Sequence, residues 1–177
     1  MFLVISGSLN PWSRSRVLAR GAFDLLRDEG HETEFLDLRE HPLPLCDGES
    51  NYDHPSVLVA SEMIRTARGV LIAIPVYNYA ANAAVKNLVE YTGRAWQDQV
   101  VGLVCAAGGK SSYMGMMGLA NSLMLDFRCI IVPRFVYATG EHFQEEQLND
   151  PKLIDRLQGL TRELVRVGTL LRGSPPA

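Results

Sequence analysis

Short apolar runs alternate along this chain with longer stretches whose hydrophobic residues recur at helical spacing, and that alternation constrains the fold more than any other feature. An apolar run bounded by turn residues suits a strand, and an amphipathic period suits a helix. Strictly alternating, the two make βα units, whose parallel strands are buried between helices and need no polar face. The runs lie at residues 2–6, 33–38, 69–75, 100–107 and 129 to about 136. The third is apolar on both faces, as expected of a central strand covered from both sides.

Between them, Val17, Leu18, Ala22, Leu25 and Leu26 form one helical stripe, closed by Gly30. Further helices are expected at 56–67, with Val57, Leu58 and Ile64 facing inward, at 81–91, and at about 113–127. Asp150 before Pro151 reads as the N-cap and first position of a last helix running to Leu171. Residues 39–53 hold Pro42, Pro44 and Gly48 and read as a long loop, a feature that in compact domains is often functional. No repeat or linker interrupts residues 1–172. The expectation is one doubly wound α/β domain of five strands and five helices, with 173–177 as a tail.

The chain has 177 residues, 47% hydrophobic and 21% charged, which is enough apolar material for one core and an ordinary balance for a folded domain. A net charge of −3 without any Lys/Arg cluster argues against a nucleic-acid partner. No apolar run approaches the roughly 18 residues of a membrane span. Met1 leads straight into Phe2-Leu3-Val4-Ile5 without a basic n-region, so a cytoplasmic protein is expected. Cys46, Cys105 and Cys129 form no Cys-x-x-Cys pair; the last two sit in strand-like runs and read as small core hydrophobes.

In a doubly wound sheet, ligands bind beyond the carboxyl ends of the strands, so the loops there carry the chemistry. The first reads Gly7-Ser8-Leu9-Asn10-Pro11-Trp12-Ser13-Arg14-Ser15. Free N–H groups at the helix start favour an anion, and serine hydroxyls can donate to phosphate oxygens. The plain alternative is that Ser13 merely caps the helix. Neither Gly-x-x-x-x-Gly-Lys-Ser/Thr nor, in this loop, Gly-x-Gly-x-x-Gly is present, which excludes a P-loop and weakens a dinucleotide-binding reading. After the third strand, Pro75-Val76-Tyr77-Asn78-Tyr79 presents an aromatic ring and an amide, suited to a planar heterocycle, or else forms a turn with a core tyrosine. After the fourth, Gly108-Gly109-Lys110-Ser111-Ser112 lets backbone approach a flat ligand, though Gly-Gly is also an ordinary turn.

Together these loops resemble the NADPH-dependent FMN reductase family of the flavodoxin-like fold, which includes FMN, quinone and azo reductases. The resemblance rests on the opening strand with Gly7-Ser8 and Ser13, on Leu43-Pro44-Leu45, on Pro75-x-Tyr77-Asn78 with Lys86-Asn87, and on Gly108-Gly109. It implies a five-stranded parallel sheet of order 2-1-3-4-5 with helices on both faces. It also implies that Ser8, Ser13 and Ser15 hold the FMN phosphate. Pro75, Val76, Tyr77 and Asn78 would line the isoalloxazine, with Gly108, Gly109 and Ser111 at its other polar edge. Asn10, Val76 and Ser15 stand where the family often has arginine, glutamate and asparagine. Ser13-Arg14-Ser15 and Pro75-Val76-Tyr77 are closer to the reductases serving alkanesulfonate monooxygenases.

The resemblance implies hydride transfer from NADPH or NADH to FMN, then electron release to free flavin, a quinone or a similar small acceptor. The cofactor carries that chemistry, so no acid–base pair is required and no catalytic side chain is assigned. It implies a homodimer or homotetramer built on the helices holding residues 86–91 and 113–127, and allows a monooxygenase partner. A flavodoxin-type electron carrier and a flavin-free regulatory domain are the competing readings. His31, His41, His54 and His142 lack metal-site spacing and read as solvated or locally bonded, with no metal inferred. No Gly-x-Ser-x-Gly elbow supports a hydrolase. Met114, Met116, Met117 and Met124 read as core or subunit-interface residues, and Arg14 and Arg16 as solvated helix charges or neutralisers of phosphate.

Overall fold

A computed structural model describes residues 1–173; the remainder of the expected tail, 174–177, lies outside the described residues. The chain opens with strand β1 (Phe2–Ser6), helix α1 (Arg14–Asp28) and β2 (Thr33–Asp37). Next come α2 (Pro55–Thr66), β3 (Val70–Tyr77), a two-residue β4 (Ala80–Ala81) and α3 (Ala83–Thr92). β5 (Val100–Ala106), α4 (Met117–Phe127), β6 (Ile130–Ile131) and β7 (Val136–Ala138) follow. A hairpin of β8 (Phe143–Gln144) and β9 (Gln147–Leu148) precedes α5 (Pro151–Arg172).

The sheet is parallel in the order β2-β1-β3-β5, with β6 and β7 both on the outer edge of β5. Leu3 aligns with Val70 and Ile72 with Leu103, so the apolar runs stack side by side. Strand alternation sends side chains to two cores. Phe2, Val4 and Leu71 pack with Leu18, Ala22 and Leu26 of α1 and Leu157, Leu160 and Leu164 of α5. Leu3, Ile5 and Ile72 pack with Ile64 of α2, Leu88 of α3 and Leu123 of α4. Each such leucine or isoleucine, fully buried, stabilises the fold by about 1.5–3 kcal/mol. Asp150 caps α5 by accepting from the Leu153 N–H at 2.9 Å, with Pro151 at its first position.

The order matches the expected 2-1-3-4-5 with one change: the fifth strand is broken in two. Pro133 lies between the halves and has no N–H to give a ladder. α4 begins at Met117 rather than near Tyr113, because Lys110–Ser112 forms a 3-10 turn first. Neither of the two small antiparallel hairpins was expected, although residues 75–79 had a turn as an alternative reading. Their two-residue turns place Asn78 (φ 50°), Tyr79 (φ 63°), Glu145 (φ 47°) and Glu146 (φ 65°) in the left-handed region. Glycine usually marks such turns, and none of these positions has it.

Leu58, expected to face inward on α2, is exposed, whereas Val57 and Ile64 are buried. Of Met114, Met116, Met117 and Met124, only Met116 enters the core; the other three are exposed. Among the described residues no helix is long and apolar enough to cross a membrane.

Candidate functional site

Ser6 ends β1 and Gly7 turns the chain toward α1 at the point where β1 and β3 part company. The Gly7 N–H donates to the Ala73 carbonyl at 2.8 Å. A Cβ on Gly7 would stand 2.3 Å from Val85 Cγ2 and 3.0 Å from the Ala73 oxygen, so only glycine fits there. The Gly7 carbonyl accepts from Asn82 Nδ2 at 2.7 Å, which anchors the first loop to the start of α3. Sequence reading missed Asn82 in this role; an asparagine just before a helix signals only a cap, yet here it makes no cap hydrogen bond.

The loop is then folded by its own side chains. Ser8 Oγ accepts from the Asn10 N–H at 3.2 Å, and Asn10 Oδ1 accepts from the Trp12 N–H at 3.0 Å, leaving the Trp12 ring largely exposed. Ser13 stands at the N-cap of α1 without making a side-chain cap; its hydroxyl pairs with Ser15 Oγ at 2.8 Å instead. The plain reading of Ser13 as a cap is therefore not what the structure shows. One proton is shared between the two oxygens, and the other remains available to donate. The N–H groups of Arg14 and Ser15, in the first turn of α1, have no acceptor inside the helix.

Of the three predicted serines, Ser13 and Ser15 are brought together, whereas Ser8 bonds to Asn10 within the loop. Ser13 lines the cleft at the strand ends, whereas Ser8 and Ser15 are almost completely covered, Ser15 lying behind Ser13. Arg16 also lines the cleft; its Nη2 donates to Asp37 Oδ1 at 2.9 Å, and the same oxygen accepts from the Arg39 N–H at 3.0 Å. Arg16 is thus a largely buried partner of a buried aspartate and not a solvated helix charge. Arg14 is exposed, with its guanidinium 5.8 Å from the centre of the Phe143 ring.

Pro75, Val76 and Tyr77 line the same cleft, as do Ala106, Ala107 and Gly108. Pro75 and Val76 are buried, and Tyr77 is 54% exposed, so its ring is available to a ligand and is not a core tyrosine. Asn78, Gly109 and Ser111 are exposed on the neighbouring turns. The loops after β3 and β5 meet at Gly115, where a Cβ would be 3.0 Å from Val76 Cγ1 and 3.1 Å from the Tyr79 carbonyl carbon. Gly108 and Gly109 behave oppositely: a Cβ on either would meet nothing within 4 Å, and neither has a positive φ. Nothing among the described residues calls for glycine at these two positions.

The loop after β5 is held from the far side. Tyr137 Oη donates to the Gly109 carbonyl at 2.6 Å, and Lys110 pairs with Glu141 at 2.8 Å. The lysine's hydrogen bond, joined by one from the Thr139 hydroxyl, holds the Glu141 carboxyl below the usual range. His142 closes a local cap with Thr139, and His54 caps α2, so these two histidines are locally bonded as expected. The loop at 43–47 is tied to α3: Asn87 Nδ2 donates to the Pro44 carbonyl at 2.8 Å, Asn87 Oδ1 accepts from the Cys46 N–H at 2.8 Å, and Tyr91 Oη donates to the Leu45 carbonyl at 3.0 Å.

The cleft encloses about 950 Å³ and continues over α1 toward the β8–β9 hairpin. A second cleft of about 760 Å³ lies on the opposite face, among α2, α3 and α4, away from the strand ends. The strand-end cleft has Ser13 at the N-terminus of α1 and the open backbone of Gly108; the other carries the hydroxyls of Ser61, Thr92 and Ser122 but lies away from the strand ends.

The chain is similar to known proteins in sequence and in fold. The chain is 28% identical over 140 residues to an NAD(P)H-dependent FAD/FMN reductase of Geobacillus thermodenitrificans, covering 77% of this chain and 75% of that one. It is 30% identical over 162 residues to an NADPH:quinone oxidoreductase of Arabidopsis thaliana, covering 86% and 81%. In fold it is similar to FerB, a flavoenzyme NAD(P)H:(acceptor) oxidoreductase from Paracoccus denitrificans, with a TM-score of 0.78 at 22% identity over 96% of this chain and 97% of that one. The family model for NADPH-dependent FMN reductase matches residues 1–144, and the chain belongs to that family.

Proposed function

We propose that this NAD(P)H-dependent FMN reductase holds the FMN phosphate against Ser13 and the first turn of α1, and the isoalloxazine between residues 75–78 and 108–111. The observation that carries the assignment is the glycine pair. Gly108 and Gly109 answer to no contact and no backbone strain within the chain, and a side chain there would occupy the space a flat ligand needs. The residues present therefore fit the cofactor.

FMN bound there supplies the two-electron chemistry that takes hydride from NADPH or NADH and passes electrons to an acceptor. The chain's own part is binding and orientation. Ser13 donates toward the phosphate, Ser15 fixes the Ser13 hydroxyl, and Ser8 keeps the loop folded around them. The first-turn amides of α1 add their partial positive charge. Pro75 and Val76 form a firm apolar floor, Tyr77 an aromatic wall, and Asn78 and Ser111 polar groups at the margins. The small acceptor is a free flavin, a quinone or a similar planar molecule. Met117, Met124 and Leu125, exposed on α4, support a homodimer or homotetramer formed through the helices holding residues 86–91 and 113–127. The Ser13-Arg14-Ser15 and Pro75-Val76-Tyr77 sequences favour a monooxygenase as the consumer of reduced flavin.

Calorimetric and absorbance titration tests the reading: one FMN should bind per chain, and anaerobic NADPH should bleach it, with excess FMN or a quinone sustaining NADPH oxidation. A folded chain that binds no FMN overturns it. A loaded chain that neither NADPH nor NADH reduces overturns the reductase assignment for this chain.

A further inference from the structure

Tyr137 lies on β7, in register with Cys105 of β5, and its hydroxyl reaches across to the loop that follows β5. It makes two contacts there, with the Gly109 carbonyl at 2.6 Å and with Ser112 Oγ at 2.9 Å. A carbonyl oxygen can only accept, so the single phenolic proton is committed to Gly109. Ser112 must then be the donor of the second bond. The result is a directed chain, from the Ser112 hydroxyl to the Tyr137 hydroxyl to the Gly109 carbonyl, each bond polarising the next. One phenolic oxygen thereby ties together both ends of the 109–112 turn.

The tie has a directional consequence. The peptide between Gly109 and Lys110 is planar and trans, so its N–H points opposite to its C=O. With the carbonyl held on Tyr137, the Lys110 N–H is turned away from Tyr137. The Tyr137 ring is itself braced: Tyr113 packs edge-on to it at 5.3 Å between centroids, and Tyr113 in turn contacts Phe135 at 5.1 Å. The other tether on the loop, Lys110 with Glu141, is exposed on both sides and contributes little rigidity.

We infer that Tyr137 is a positioning residue for flavin, setting the 109–111 amides in the orientation that meets the polar edge of the isoalloxazine. This rests on the placement of FMN given above. Holding the amides in advance spares the ordering cost on binding. Donors aimed at that edge also interact more strongly with the electron-rich reduced flavin than with the oxidised one. Tyr137 is not among the residues lining the strand-end cleft; it acts through Gly109.

The test uses the full chain with FMN and, separately, riboflavin. Tyr137→Phe keeps the ring and removes both hydrogen bonds. It should weaken FMN and riboflavin by the same factor, about 5–20-fold for one or two lost neutral hydrogen bonds. The midpoint potential of the bound flavin should become more negative, and the Tm without flavin should stay within a few degrees. Ser112→Ala removes only the outer bond and should shift affinity and potential in the same direction by less; it decides the matter if Tyr137→Phe does not fold. Wild-type binding of FMN together with variants of unchanged affinity and potential overturns the inference alone. Failure of the wild-type chain to bind FMN overturns the placement on which it rests.

Discussion

Asn87 clasps the backbone on both sides of Leu45, giving its Nδ2 hydrogen to the Pro44 carbonyl and taking the Cys46 N–H on its Oδ1, each at 2.8 Å. Two sequence motifs 43 residues apart, Leu43-Pro44-Leu45 and Lys86-Asn87, are therefore the two halves of one contact. Leu45 is held 83% exposed by it. Asn87→Ala should cost about 1–3 kcal/mol for the two bonds and the acceptor left behind. For a domain of this size that is a fall of roughly 3–10 °C in Tm. Calorimetry measures the loss, and faster hydrogen exchange at the Cys46 amide would localise it.

The glycines separate packing from ligand binding. Gly7→Ala forces a methyl group against Val85 and the Ala73 carbonyl and should destabilise the chain by about 1–3 kcal/mol in urea denaturation. Gly109→Ala meets open space and should leave stability within about 0.5 kcal/mol. Its FMN affinity should nevertheless fall at least about tenfold, since the new Cβ stands where the ring approaches. Unchanged affinity would move the flavin away from this loop.

The serines should distinguish phosphate from ring. Ser13→Ala removes a donor worth about 1–2 kcal/mol to a charged oxygen, roughly 5–30-fold in FMN affinity. Ser15 acts behind it, so Ser15→Ala should cost less. Riboflavin, which has no phosphate, should bind both variants nearly as it binds the wild type. Equal losses for the two ligands would place these hydroxyls elsewhere.

The three thiols should differ sharply in reactivity, because the attacking species is the thiolate. Burial pushes Cys105 far up and Cys129 up to about 11, while Cys46 is half-exposed in the 43–47 loop. A disulfide reagent at pH 8 should label one thiol per folded chain quickly and all three after unfolding. Fast labelling of three in the native state would contradict the packing around β5.

Leu125 is 82% exposed on α4 beside Met124. Leu125→Glu should convert the proposed oligomer to a monomer of 19.6 kDa in sedimentation equilibrium. Subunit association through another face would leave the mass of the variant unchanged.

The strands and helices were legible because their signal is local. The 2-6, 69–75 and 100–107 runs announce buried strands, and Asp150-Pro151 announces the start of α5, each within a few residues of sequence. The loops at the strand ends were legible as a group for the same reason, since hydroxyls and glycines between a strand and a helix have few local explanations. The break in the fifth strand was not expected: the run from Cys129 to about Val136 read as one strand, although Pro133 has no N–H to give a ladder.

The sequence alone thus determined the layered α/β architecture and which loops face the cleft, since hydrophobic period and turn chemistry act over neighbouring residues. Tertiary structure alone decided which polar groups meet: Asn82 with Gly7 across 75 residues, Asn87 with Pro44, and Tyr137 with Gly109. It also decided that Ser15 stands behind Ser13, that Arg16 pairs with Asp37, and that Asn78-Tyr79 and Glu145-Glu146 turn through the left-handed region. A hydrogen bond between distant residues leaves no period along the chain; its geometry exists only once the strands are in register and their ends are brought to one edge of the sheet.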